Sequence, residues 1–224
     1  MSATRQSIAN GIVLIGLFFL QDKKPVKFAV CVLIAILFHK TAIIAFLFLV
    51  FYNRVFNGKW MMAIMGVASL LTVTNLAGRI TAIFRPVTIY STFSDGSENG
   101  LTVIVMSIMY CCLLFLRLFE AKKDQNSDAV LLETKESFYV FGITMSFALT
   151  LISLRVPVIS RLCGYFSLAG LPYISNVMNR MKNQGNALLI KVVFCVALWA
   201  YSLTVLILRP EWQHLWPYHF FWET

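Results

Sequence analysis

The stretch FAVCVLIAILFHKTAIIAFLFLVFY, residues 28–52, is apolar almost throughout, yet His39, Lys40 and Thr41 stand together at its centre. Its length is enough for one helical crossing of a bilayer, but a histidine and a lysine at mid-depth are costly in hydrocarbon. Two arms, 26–38 and 41–52, turning at His39-Lys40 remove that conflict. Each arm would be ~20 Å long at 1.5 Å per residue, too short for a core of ~30 Å. The tip of such a hairpin lies in a recess, walled by other helices or by water.

The flanks favour the hairpin. Basic loops mark the cytoplasmic side of a membrane protein. Here they are QDKKPVK (21–27), NRVFNGK (53–59), EAKKDQNSDAVLLETKE (120–136) and NRMKNQG (179–185). A single span over 28–52 puts the first two on opposite faces and inverts every later loop against its charge. The hairpin puts all four inside. The outer segments are then 1–6, His39-Lys40, 79–100, 155–160 and 209–224.

The rest of the composition agrees with a membrane setting. Of 224 residues 59% are hydrophobic and 13% charged, and the mean hydropathy is +0.76, outside the soluble globular range. Apolar runs fall at 7–20, 28–52, 60–78, 101–119, 138–154 and 188–208, with a more broken one at 161–178. They show none of the alternation a membrane barrel requires. The expected class is all-α, a polytopic bundle of about six to eight membrane segments in one integral domain spanning 1–224. The first run lacks the charged n-region and cleavage site of a signal peptide. It gives only ~14 apolar residues, short of a full span, as expected for the C-terminal part of a longer protein.

The five cysteines, Cys31, Cys111, Cys112, Cys163 and Cys195, lie in apolar runs without CxxC spacing, and read as buried free thiols. No P-loop, GxGxxG or HExxH occurs, so no cofactor and no metal site is expected. The net charge of +9 sits in short loops between apolar runs, which is topology and not a nucleic-acid footprint.

Separating arginine from lysine adds information that the orientation did not use. The outer set holds Arg5, Arg79, Arg85, Arg155, Arg161 and Arg209, with Lys40 its only lysine. The inner set is mostly lysine, with Arg54, Arg117 and Arg180 as exceptions. A guanidinium is a planar fork that grips phosphate and pyrophosphate through two bonds, whereas ammonium is a hydrated point charge. The outer arginines therefore read as a vestibule for a phosphorylated, lipid-borne substrate. Arg155 and Arg161 lead, because RVPVISR carries a proline-interrupted segment at membrane depth, where irregular backbone survives only beside protein or a cavity.

His39 is the candidate for proton transfer, since an ionisable residue inside a span marks a functional site by default. In the outer loop 79–100 the spacing of Ile80, Ile83, Phe84 and Val87 suggests an interfacial amphipathic helix, broken by Pro86. The polar half carries Asp95 and Glu98. The tail RPEWQHLWPYHFFWET (209–224) is either an aromatic belt at the interface or a platform on which sugar rings stack.

These residues resemble a known family. RQSIANGIVLIGLFFLQDKKPVKFAVCVLIAILFHKTAIIAF (5–46), RLCGYFSLAGLPYI (161–174) and the late PYHFF (217–221) are similar to the EpsG/Wzy-type polysaccharide polymerases of bacterial inner membranes. The family pattern falls on Arg5-Gln6, on Phe38-His39-Lys40-Thr41-Ala42, and on Arg161 to Tyr165-Phe166 with Pro172. The resemblance implies a GT-C-like polytopic architecture and a metal-independent transfer on the periplasmic or outer face. A growing glycan would pass from undecaprenyl pyrophosphate to a sugar hydroxyl of the next lipid-linked repeat unit, building O-antigen, capsule or exopolysaccharide. In that reading His39 is the catalytic base, and Arg155, Arg161, Arg85, Arg79 and Arg5 hold pyrophosphate. Tyr165, Trp212, Trp216 and Tyr218 contact saccharide. Expected partners are the undecaprenyl-pyrophosphate-linked oligosaccharide, membrane lipid and a chain-length regulator protein. The resemblance also implies further helices before Arg5. The nearest rival is an O-antigen ligase with the same donor. A transporter or flippase would call for internal repeats, and none is visible.

Overall fold

The computed structural model of the chain describes residues 2–74, 76, 100–121, 127–156, 159–180 and 184–208, and every regular element among them is helical. The outer loop 79–99 and the tail 209–224 lie outside the described residues, and with them Arg79, Arg85, Trp212, Trp216 and Tyr218. The chain divides into two units, Met1–Ile174 and Ser175–Thr224.

The first unit opens with α1 (Ser2–Gln21) and α2 (Pro25–Phe38), an antiparallel pair. The polar residues Ser2 to Ser7 continue the helix beyond the apolar run, because none of them breaks helical backbone. The Lys23 N–H donates to the Leu20 carbonyl (3.1 Å) and the Lys24 N–H to that of Phe19 (2.9 Å). With Lys23 in the left-handed region at φ 59°, this is the double bond pattern that satisfies the last carbonyls of a helix. Pro25 then opens α2, where its missing N–H costs nothing. Gly16 lets the two helices close: a Cβ there would lie 3.0 Å from the Phe28 ring.

α2 stops at His39, whose backbone is extended (φ −149°, ψ 113°). The chain returns as a 3-10 segment, Lys40–Phe46, and the single turn α3, Leu47–Val50. Phe28 at the start of α2 meets Phe48 near the end of the return arm, ring centroids 6.4 Å apart. Residues 28–52 therefore double back at the histidine and do not run straight through.

Beyond it come α4 (Gly58–Val73), capped by Asn57, then α5 (Gly100–Ala121) and α6 (Ser127–Ser153). α6 begins eleven residues before its apolar run, because SDAVLLETKES consists largely of good helix formers. α4 and α6 run parallel. The Phe56 N–H, just before α4, donates to Ser137 Oγ (3.0 Å) within α6, and Ala68 packs with Ala148, Ile152 and Val156 further along both. The Tyr139 hydroxyl donates to Gln21 Oε1 (2.7 Å), so the turn after α1 and the turn before α4 share one end of the unit. Phe48, Phe51 and Phe56 pack on Phe141 between them, with Phe51 and Phe141 stacked at 4.4 Å. Gly142 adjoins this cluster, where a Cβ would come within 2.6 Å of both Phe48 Cε1 and Ala169 Cβ.

The broken run 161–178 becomes α7 (Ser160–Ser167) and α8 (Gly170–Arg180), separated at Leu168-Ala169. In the second unit the described helix is α9 (Gln184–Leu208). One helical stretch among the described residues, Glu136–Ser153, is long and apolar enough to cross a membrane. The other apolar stretches, including Pro25–Phe38, Lys40–Val50 and Gly58–Val73, are 10–17 residues long. The expectation of about six to eight crossings is thus met in helical class and not in the number of full-length spans.

Candidate functional site

With helix directions set, one end of the first unit collects the start of α1, the end of α2, the ends of α4 and α6, and the start of α7. Nine cations of the first unit sort by end. Arg5, Lys40, Arg155 and Arg161 belong to this one, while Lys23, Lys24, Lys27, Arg54 and Lys59 belong to the other. The motifs at 5–6, 38–42 and 161–166 meet here. Gln6 Nε2 donates to the Arg161 carbonyl (2.7 Å), tying α1 to the first turn of α7. The Thr41 hydroxyl donates to the Tyr165 hydroxyl (3.3 Å), tying the first turn of the return arm to the same helix.

His39 sits at the reversal. Its N–H donates to the Ala35 carbonyl (2.9 Å), and its own carbonyl accepts from the Ala42 N–H (2.9 Å). The main chain is thereby satisfied on both sides, leaving the imidazole uncommitted to the turn. Nε2 is buried and has no hydrogen-bond partner among the described residues, and the same holds for Asn10 Oδ1. Buried polar atoms are ordinarily paired, so two such atoms on adjoining elements mark a place built to receive something polar. α7 comes alongside α1 at Gly164, where a Cβ would lie 3.4 Å from Asn10 Nδ2.

Arg5 and Arg161 are exposed at this junction. Arg155, also exposed, directs Nε to the Thr72 carbonyl (3.2 Å), which belongs to the last turn of α4. A cation there complements the unpaired carbonyls of a helix end. The structure thus brings Arg161, Tyr165, His39 and Arg5 into one neighbourhood through their own or adjacent residues, and commits Arg155 to α4. Tyr165 has no exposed surface and serves as a brace.

Several participants escaped the sequence reading. Asn10 stands one turn from Gln6 of the Arg5-Gln6 motif, and that spacing was the available signal. Cys163 is a free thiol set among polar groups. Its Sγ lies 3.1 Å from Ser146 Oγ and 3.0 Å from Thr150 Oγ1, and Ser146 donates to the Tyr110 hydroxyl (2.5 Å). This polar knot joins α5, α6 and α7 behind the junction. Cys111, Cys112 and Cys195 are free and exposed, against the expectation of burial. The surroundings of apolar residues in a sequence do not tell which way each one faces.

A family model described as the EpsG family matches residues 1–220. No curated protein and no solved structure matches the chain.

Proposed function

This chain belongs to the EpsG family, and from that premise we propose that it polymerises lipid-linked oligosaccharide repeat units in the bacterial inner membrane, at a site facing the periplasm or cell exterior. The observation that carries this reading is the junction of Arg5-Gln6, His39-Lys40-Thr41 and Arg161-Tyr165 at one end of the unit. A sugar hydroxyl of the incoming unit attacks the anomeric carbon of the growing glycan. The new glycosidic bond forms as the bond from that carbon to the pyrophosphate oxygen breaks, and the electron pair leaves with undecaprenyl pyrophosphate. The hydroxyl proton passes to His39 Nε2. Histidine suits this step because its ordinary titration range lies near neutral pH. The charge that develops on pyrophosphate needs fixed donors, which Arg161 and Arg5 provide from α7 and α1, with Arg79 and Arg85 from the outer loop. Arg155 acts through α4, holding the wall on which the site is built. Tyr165 keeps Thr41, and hence the histidine turn, in place, while Trp212, Trp216 and Tyr218 shape the saccharide path.

The test is complementation of a null strain, with polymer resolved as a ladder on a gel. His39→Ala is expected to abolish the ladder while single-unit product persists. Unchanged polymer length and yield would overturn the base assignment. Loss of single-unit product as well would favour a ligase.

A further inference from the structure

The return arm of the hairpin carries a groove that the transfer chemistry does not use. It has a volume of about 590 Å³ and is lined by Thr41, Ile43, Ile44, Leu47 and Val50 of the arm and by Leu162 of α7. The groove is shallow and open along one side, and its volume falls within the range of small-molecule sites. Apart from Thr41 the lining, which also includes Phe46, is apolar. Ile43, Leu47 and Val50 expose 60%, 39% and 47% of their surface, a continuous apolar stripe along the arm. The polar end is different in kind. Thr41 is engaged with Tyr165, Lys40 immediately precedes Thr41, and Arg161 immediately precedes Leu162. Each of the two elements that form the groove therefore sets a cation beside its first lining residue.

We infer that this groove holds the first isoprene units of a polyprenyl diphosphate, the lipid carrier of the donor, with the diphosphate between Lys40 and Arg161. The occupant must be apolar over the length of the arm and anionic at one end, and an amphiphile of that kind satisfies both. A diphosphate offers more charge to cations flanking the groove on both elements than a phosphodiester does. This inference rests on the lipid-linked donor proposed above. It adds that the carrier enters along the return arm, so that one turn of chain, His39 to Thr41, faces both the reacting bond and the tail.

The full chain in nanodiscs is exposed to a geranylgeranyl diphosphate bearing a diazirine on its tail, irradiated, and the labelled peptides identified by mass spectrometry. Label is expected on 43–50 and on the peptide containing Leu162. Excess unlabelled undecaprenyl diphosphate should compete it away several-fold, and excess phosphatidylglycerol should not. Label spread over other exposed apolar positions such as Val26 and Leu37, or equal competition by phosphatidylglycerol, overturns the inference and makes the groove a bulk-lipid contact. A paired change, Ile43→Trp with Leu47→Trp, should lower labelling several-fold, while the wild-type map stands whether or not that variant folds. Binding of the probe needs no turnover. Label in the groove together with normal polymer from His39→Ala sinks the transfer reading alone; a His39-dependent ladder with label elsewhere sinks the groove alone.

Discussion

His39 contributes differently through its backbone and its side chain. Its backbone makes the reversal, in an extended conformation that any residue adopts, and its side chain offers Nε2 without a partner. His39→Ala should therefore keep the fold and lower polymer yield by roughly 10²–10⁴-fold, the usual contribution of a general base. Circular dichroism and monodispersity in detergent would show the fold intact; a collapse of either would return the histidine to a packing role. Two glycines calibrate the packing in the same way. At Gly142 a methyl group would meet Phe48 and Ala169 at 2.6 Å, and overpacking of that kind costs about 1–3 kcal/mol. At Gly164 the nearest contact would be 3.4 Å, ordinary van der Waals distance. Thermal unfolding in detergent should thus fall clearly for Gly142→Ala and barely move for Gly164→Ala. Equal shifts would contradict the packing described. The reversal at His39 was legible because a histidine and a lysine side by side in an apolar run stand out. Gly142 was not, since nothing in its neighbours announces a phenylalanine arriving from almost a hundred residues earlier.

At the scale of elements, the hairpin was the most readable feature, because the charge of the flanking loops excluded the straight alternative. It predicts a specific asymmetry. In a cysteine-free background on intact spheroplasts, an impermeant maleimide should label Lys40→Cys and spare Asn57→Cys. Label at 57 only would mean that both ends of the return arm have been assigned to the wrong faces. The turn before α2 offers an independent check. Lys23 holds a left-handed conformation, which costs a non-glycine residue roughly 1–2 kcal/mol. Lys23→Gly should raise the unfolding temperature, and a drop would mean that the turn is not the one described. Less of α7 was readable. Arg155 and Arg161 looked like one pair, six positions apart around a proline. The structure gives one to the end of α4 and the other to the junction with α1. Side-chain direction at a helix break depends on what lies alongside, and that partner comes from distant sequence. The same limit hid the Cys163 knot, although Ser146 and Thr150, one turn apart on an apolar helix, were a usable sign.

For the whole molecule, helical class followed from composition and periodicity, while the number of full spans did not, because apolar content does not fix where a helix ends. The sorting of cations between the two ends was legible in outline, and the structure adds what joins them: hydrogen bonds reaching from α1 and the return arm to α7. Polymerase and ligase differ at this scale only in the acceptor, which is why the ladder on a gel decides between them.

The parallel course of α4 and α6 governs the order in which the protein is made. The Phe56–Ser137 and Thr72–Arg155 bonds join residues 81 and 83 positions apart. The α1–α2 pair and its return arm can close as soon as they emerge from the ribosome, since their contacts are local. α4 emerges next, but the face around Ala68 has no partner until α6 has been synthesised, with α5 in between. During that interval an insertase or neighbouring lipid must shelter α4. A nascent chain arrested before residue 127 should accordingly crosslink through α4 to an insertase or to lipid, and that crosslink should fade once α6 has been made.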